Sequence, residues 1–267
     1  MTFLTKLPRL NTFFQEINDP LYRNAGFIFG ITVINSATGF LFWLLAARLY
    51  SPDEVGVSSS IISVVALLSG IAGMGLGIGI ARFLGTSENP GSLINTSFSL
   101  TTLASFIICL IYLLGINIWS PSLAQVNDSQ YYFSFGIFLF ILFTSLGNLI
   151  QWIFIGLRKA GFAFAQSLIM NSFRLVFLFL LSSFTWGIAL SVVIGWFISL
   201  LISLLFFLPR IIKVEIWPLL SKSSTVILVP FSIGNYFADF LYLAPALIAP
   251  PLMLEKFGAS ASAFTLP

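Results

Sequence analysis

Long apolar runs dominate this chain, and single charges or short polar groups mark where each run stops. Between Arg23 and Arg48 lie 24 residues without a charge, and between Glu54 and Arg82 lie another 27. At about 1.5 Å per helical residue each run reaches about 36–40 Å, enough to cross a hydrocarbon core of about 30 Å. The sequence between them, ARLYSPDEVG (residues 47–56), reads as a tight turn into a new helix. Ser51 is placed to cap, Pro52 suits the first helical position, and Asp53 and Glu54 sit where the helix dipole favours negative charge. The pattern predicts a transmembrane hairpin.

The same pattern predicts seven spans in an all-α polytopic membrane protein, at about 24–47, 54–81, 93–118, 131–157, 160–181, 186–208 and 225–250, the last reaching 253 at most. Asn89-Pro90-Gly91 marks a turn before the third span, and Trp119 marks a membrane interface after it. Ahead of the first span, residues 1–23 carry apolar residues at helix-like spacing among Lys6, Arg9, Glu16 and Asp19, which fits a segment lying on the membrane surface. Residues 209–224 form the longest polar connection, half apolar and also expected at the interface, and residues 254–267 form an outer tail.

Composition agrees with lipid as the main solvent. The chain of 267 residues is 58% hydrophobic and 8% charged, against roughly 45–50% and 25% in soluble domains. A net charge of +3, dispersed singly at the flanks of apolar runs, does not suggest nucleic acid. With no histidine and one cysteine, Cys109, the sequence holds no internal disulfide, no Cys/His metal site and no histidine base. Basic residues also set the orientation. A cytoplasmic N-terminus puts Lys6, Arg9, Arg23, Arg82, Arg158, Lys159, Arg210, Lys213 and Lys222 inside, and only Arg48 and Lys256 outside.

Glycines 73, 75, 77 and 79 near the end of the second span form two small-xxx-small pairs, suited to close helix packing or to a flexible end. They have no phosphate-binding G-x-G-x-x-G spacing. Arg174 in the fifth span and Asp239 in the seventh are the two charges expected at mid-membrane, where such groups face a bundle interior or a watery cavity. They read either as an ion pair or as functional groups, Arg174 toward an anionic substrate and Asp239 at a sodium or proton site. Asn235 and Ser232 share a helix face with Asp239. Asn35, Asn148 and Gln151 read as interhelical hydrogen-bonding groups or as cavity lining. Arg48 and Arg82, at span ends, read as anchors or as further cavity residues.

Several stretches resemble polysaccharide exporters of the multidrug/oligosaccharidyl-lipid/polysaccharide superfamily, the lipid-linked oligosaccharide flippases of O-antigen type. They are A-R-L-Y-S-P-D-E-V-G (47–56), G-I-G-I-A-R-F-L (77–84), I-G-L-R-K-A-G-F (155–162) and G-N-Y-F-A-D-F-L (234–241). The resemblance implies a cell-membrane transporter, not an enzyme, in which two lobes flank a cavity and move a polyprenyl-diphosphate-linked saccharide. It makes Arg174 and Asp239 cavity candidates. It also implies 12 to 14 helices where this sequence supplies about seven, so a second lobe or a second copy is an expected partner, beside membrane lipids. A truncated gene product, a non-transporting membrane subunit and an exporter of small cations or drugs are the alternatives. On this reading the seventh span opens the second lobe, and its face of Ser232, Asn235 and Asp239 lacks partners within the chain.

The orientation is directly testable. In a Cys109→Ser background, single cysteines at Ser129 and Ser260 are expected to react with an impermeant maleimide added outside. Cysteines at Ser92 and Ser221 are expected to stay protected until the membrane is opened, and external labelling of Ser221 reverses the assignment.

Overall fold

The computed structural model describes residues 20–125, 130–212 and 220–259, with the side chains of Asn235 and Asp239 outside that set. Most of the predicted surface segment 1–23, the linker residues 213–219 and the end of the tail therefore lie outside the described residues. Every regular element described is helical. Among the described residues six helices are long and apolar enough to cross a membrane, and the protein is an all-α polytopic membrane protein.

In chain order the helices are α1 (Pro20–Leu49), α2 (Pro52–Gly73), α3 (Leu76–Phe83), α4 (Pro90–Leu114), α5 (Ile116–Trp119), α6 (Pro121–Gln125), α7 (Gln130–Gly156), α8 (Ala160–Leu180) and α9 (Gly187–Ile202). A π-helical turn (Ser203–Phe207) joins α9 to α10 (Leu208–Ile211), and α11 (Lys222–Phe257) closes the described chain. The seventh predicted span is α11, continuous over 36 residues despite Pro230, Pro245, Pro250 and Pro251.

Local chemistry sets the starts of these helices. Ser51 accepts from the Glu54 backbone N–H at 3.3 Å while Glu54 Oε2 accepts from the Ser51 N–H at 2.9 Å, a complete capping box with Pro52 in the first turn. Asn89 caps α4 by accepting from the Ser92 N–H at 3.1 Å. The first N–H of α8, on Ala160, is satisfied from another helix, by Asn24 Oδ1 of α1 at 3.0 Å.

The second predicted span is not one helix. It breaks at Met74 and Gly75, both left-handed, with φ of 43° and 66°. The reason is that four alternating glycines weaken this stretch, and Gly75 adopts a positive φ without steric cost. The third span ends earlier than expected, at Leu114, and Trp119 sits on the short α5.

Around the break the described residues gather into two apolar cores. One gathers Phe42, Tyr50, Val65, Leu68, Ala72 and Ile141 at the end of the molecule holding Tyr50. The other gathers Leu76, Ile80, Ile94, Ile150, Phe154 and Leu228 at the Arg82 end. The break falls where they meet. Of the spanning helices α2 is the most enclosed, with 67% of its apolar window buried against 11% for α1. It packs on α4, α7, α9 and α11, whereas α1 rests mainly on α8.

The fold is inverted relative to a water-soluble protein. Ser58, Ser59, Ser60, Ser63 and Ser69 of α2 are buried, while Phe29, Phe40, Leu114 and Leu180 project outward. Lipid solvates the outer face, so hydrophobicity does not distinguish inside from outside, and small side chains let the helices approach.

The expectation that the seventh span lacks partners is corrected for Ser232, which is fully buried. A Cβ on Gly79 would collide with Ser232 Oγ, and one on Gly75 would collide with the Ser232 carbonyl. Gly75 and Gly79 thus form the packing pair, seating α11 on α2 and α3. A Cβ on Gly77 would instead collide with Trp152, and one on Gly73 would meet nothing within 4 Å. Further along α11, Ser60 donates to the Pro250 carbonyl at 3.2 Å, and Glu255 accepts from Ser122 N–H and Oγ, both at 2.9 Å.

Gly75→Ala is expected to lower stability by about 1–2 kcal/mol from the left-handed backbone alone, with the collision against Ser232 adding to it. Gly39→Ala, where a Cβ meets nothing within 4 Å, is expected to be neutral or stabilising by at most about 1 kcal/mol. Thermal unfolding in detergent reads both.

Candidate functional site

At the break in the second span the bundle leaves a half-enclosed cavity of about 240 Å³. Irregular backbone at membrane depth is tolerated where it is buried or lines a cavity, and this backbone does both. Gly70, Gly73, Gly75 and Gly77 form one wall. Thr101 of α4 faces them, α7 contributes Ser145, Asn148, Leu149 and Trp152, and α11 contributes Tyr236, Ala244 and Leu247. Counted along the helices, Thr101 lies about 16 Å from Pro90 and Asn148 about 12 Å from Gly156. Both distances run from the Arg82 end of the bundle, so the cavity lies inside the membrane rather than at its rim.

Of the predicted site residues, Asn148 is an exposed amide on this cavity. Asn35 and Gln151 belong to a hydrogen-bonded clamp elsewhere. Asn171 Nδ2 donates to Asn35 Oδ1 at 2.8 Å and to the Ser167 carbonyl at 2.8 Å, and Thr38 Oγ1 donates to Asn171 Oδ1 at 2.7 Å. Gln151 Nε2 donates to Ser167 Oγ at 2.7 Å, and Gln166 Nε2 to the Gly147 carbonyl at 2.9 Å. These bonds tie α8 to α1 on one side and to α7 on the other.

Arg174 sits on α8, three residues beyond Asn171. Its guanidinium carbon lies 4.7 Å from the centroid of Phe42. Nε and Nη2 are buried without a hydrogen-bond partner. The backbone of α9 comes so close at Gly195 that a Cβ there would stand 3.3 Å from Arg174 Cβ. Arg174 and Asp239 sit on helices with different neighbours. α8 packs on α1, α7 and α9, and α11 packs on α2, α3, α4 and α6.

Arg82, exposed at the end of α3, lies 4.7 Å over the ring of Phe231 and 5.8 Å over that of Phe83. Arg48 is exposed in the last turn of α1, and neither arginine lines the cavity. Next to Arg48, Tyr50 donates to the Leu178 carbonyl at 3.0 Å. Burial first, and the Glu54 carboxylate second, push its phenol above the ordinary value. Ser232 Oγ has no hydrogen-bond partner, and Asn235 and Asp239 are carried on the same helix.

The sequence reading missed Asn171, Trp152 and Thr101. Asn171 had a signal, because it shares a helix face with Ser167 and Arg174 at spacings of four and three. Thr101 had none, since one more hydroxyl among many serines and threonines marks nothing.

Comparison with known proteins adds no further identification: no protein-family profile, curated protein or solved structure matches the chain.

The clamp and the cavity predict opposite mutational behaviour. Asn171→Leu deletes two interhelical bonds worth about 0.6–1.7 kcal/mol each, and a thermal shift is expected to show the loss. Asn148→Ala, on the cavity surface, is expected to unfold with the wild type.

Proposed function

We propose that the protein translocates a lipid-linked saccharide carried on a polyprenyl diphosphate across a cell membrane, with its N-terminus on the cytoplasmic side. The motifs at 47–56, 77–84, 155–162 and 234–241 motivate the class of substrate. One structural observation supports it most: Arg174 holds a guanidinium inside a spanning helix with two nitrogens unbonded. A ring contact stabilises a desolvated cation by about 2 kcal/mol or more, but supplies no hydrogen-bond acceptor. An arginine fork matches the oxygens of a phosphate group, and the carrier's diphosphate supplies them.

No covalent step is required, because the carrier and its sugar leave as they arrived. The glycine-rich break lets α3 and the α11 segment seated on it shift relative to α2. A partner lobe or a second copy of the chain completes the path on this reading.

A buried charge without a counter-ion carries a desolvation cost that an apolar residue of similar length does not. Arg174→Met is therefore expected to accumulate normally and unfold no earlier than wild type. In proteoliposomes it is expected to lose flipping of a fluorescent polyprenyl-diphosphate saccharide, with Arg174→Lys intermediate. Wild-type flipping by Arg174→Met removes the proposed role of this residue.

A further inference from the structure

Two glycines in α2 have no packing reason to be glycine. A Cβ on Gly75, Gly77 or Gly79 would collide with α11 or with Trp152, whereas one on Gly70 or Gly73 would meet nothing within 4 Å. A glycine inside a helix lowers stability by about 0.5–1 kcal/mol relative to alanine. At Gly70 and Gly73 no close approach compensates for that cost. Both residues line the cavity, so their effect is to keep it open.

The rest of the lining says what the space suits. Thr101 lines the edge of the cavity, and its Oγ1 is buried without a hydrogen-bond partner. Asn148 presents an amide that both donates and accepts, and Trp152, whose indole packs on Gly77, is 39% exposed as a residue. No lysine or arginine lines the cavity among the described residues, so a phosphate or carboxylate would enter without a counter-charge, at a high desolvation cost. A volume of about 240 Å³ lies below the roughly 300–1,000 Å³ of sites for drug-sized ligands. That is room for one small ring.

We infer that this cavity binds a single uncharged sugar ring, with its C–H face on Trp152 and its hydroxyls bonded to the Asn148 amide. The chemistry follows from the cavity alone. That the ring belongs to a transported saccharide rests on the function proposed above, and Arg174, on a different set of helices, serves the charged part separately.

The test uses the full chain in nanodiscs free of sugar-based detergent, with saturation-transfer NMR on methyl glucoside, methyl galactoside, methyl mannoside and methyl N-acetylglucosaminide. Glucose 6-phosphate and glycerol serve as comparison probes. At least one neutral glycoside is expected to bind saturably, and glucose 6-phosphate at least tenfold more weakly. Gly73→Leu, which fills the cavity from a position with open space, is expected to abolish binding while thermal unfolding stays near wild type. Trp152→Leu is expected to weaken it at least tenfold, and Gly39→Ala to leave it unchanged. Should Gly73→Leu not fold, Gly70→Ala and Asn148→Ala give the same reading through a graded loss.

The inference is overturned by no saturable signal for any glycoside at tens of millimolar. It is equally overturned by binding that survives both Gly73→Leu and Trp152→Leu, or by equal binding of glucose 6-phosphate. Glycoside binding without flipping, even with a homologous second lobe appended, would retain the site and reject the transport reading. Flipping without glycoside binding would do the reverse.

Discussion

Inside a bilayer there is no water to satisfy a backbone N–H or C=O, and every departure from regular helix has to be covered by protein or opened to a cavity. The break at Met74 and Gly75 is where this constraint bears hardest. Part of the relief is local: the Met74 N–H reaches the Ile71 carbonyl, and the Gly75 carbonyl accepts from Ile78 and Gly79. The rest comes from α11, whose Ser232 backbone presses against Gly75 and covers it. The arrangement of α2, α3, α7 and α11 follows from that need, and so does the cavity that remains where coverage is incomplete.

The two polar systems of the bundle separate on physical grounds. Asn171 spends its amide entirely on Asn35, Thr38 and Ser167, and such closed networks hold helices together. Asn148 leaves its amide unspent at a surface with open volume. A polar group that is satisfied within the protein does not recruit a ligand, whereas one left open in a low-dielectric site does.

Much of the fold was legible in the chain because its determinants are local. Run lengths of apolar residues, the Ser51–Glu54 box and Asn89-Pro90 each act over a turn or two of helix, and the spans begin close to where those signals stand. The position of the break was not legible, because Gly73, Gly75, Gly77 and Gly79 are equivalent in sequence. Only their tertiary neighbours divide them into a packing pair, a seat for Trp152 and an open wall. Arg174 was conspicuous as a charge in an apolar run. The cavity was invisible for the opposite reason, since it is defined by side chains that are missing at Gly70 and Gly73. Asp239 drew notice on the same ground as Arg174, but the helices carrying the two charges have different neighbours.

The attachment of α1 bears on how the chain is made. This helix, with little of its surface enclosed, is fastened to α8 at three heights, by Asn24 on Ala160, Asn35 and Thr38 on Asn171, and Tyr50 on Leu178. Asn35 and Asn171 are 136 residues apart. At roughly 5–20 residues per second of synthesis, α1 waits roughly 7–27 s before its partner emerges. Through that interval Asn35 and Thr38 face lipid or the insertion machinery with their final acceptors and donors not yet synthesised. Until α8 is made, α1 is therefore held in place only by the bilayer and the insertion machinery, and its retention through that interval bears on the yield of folded protein.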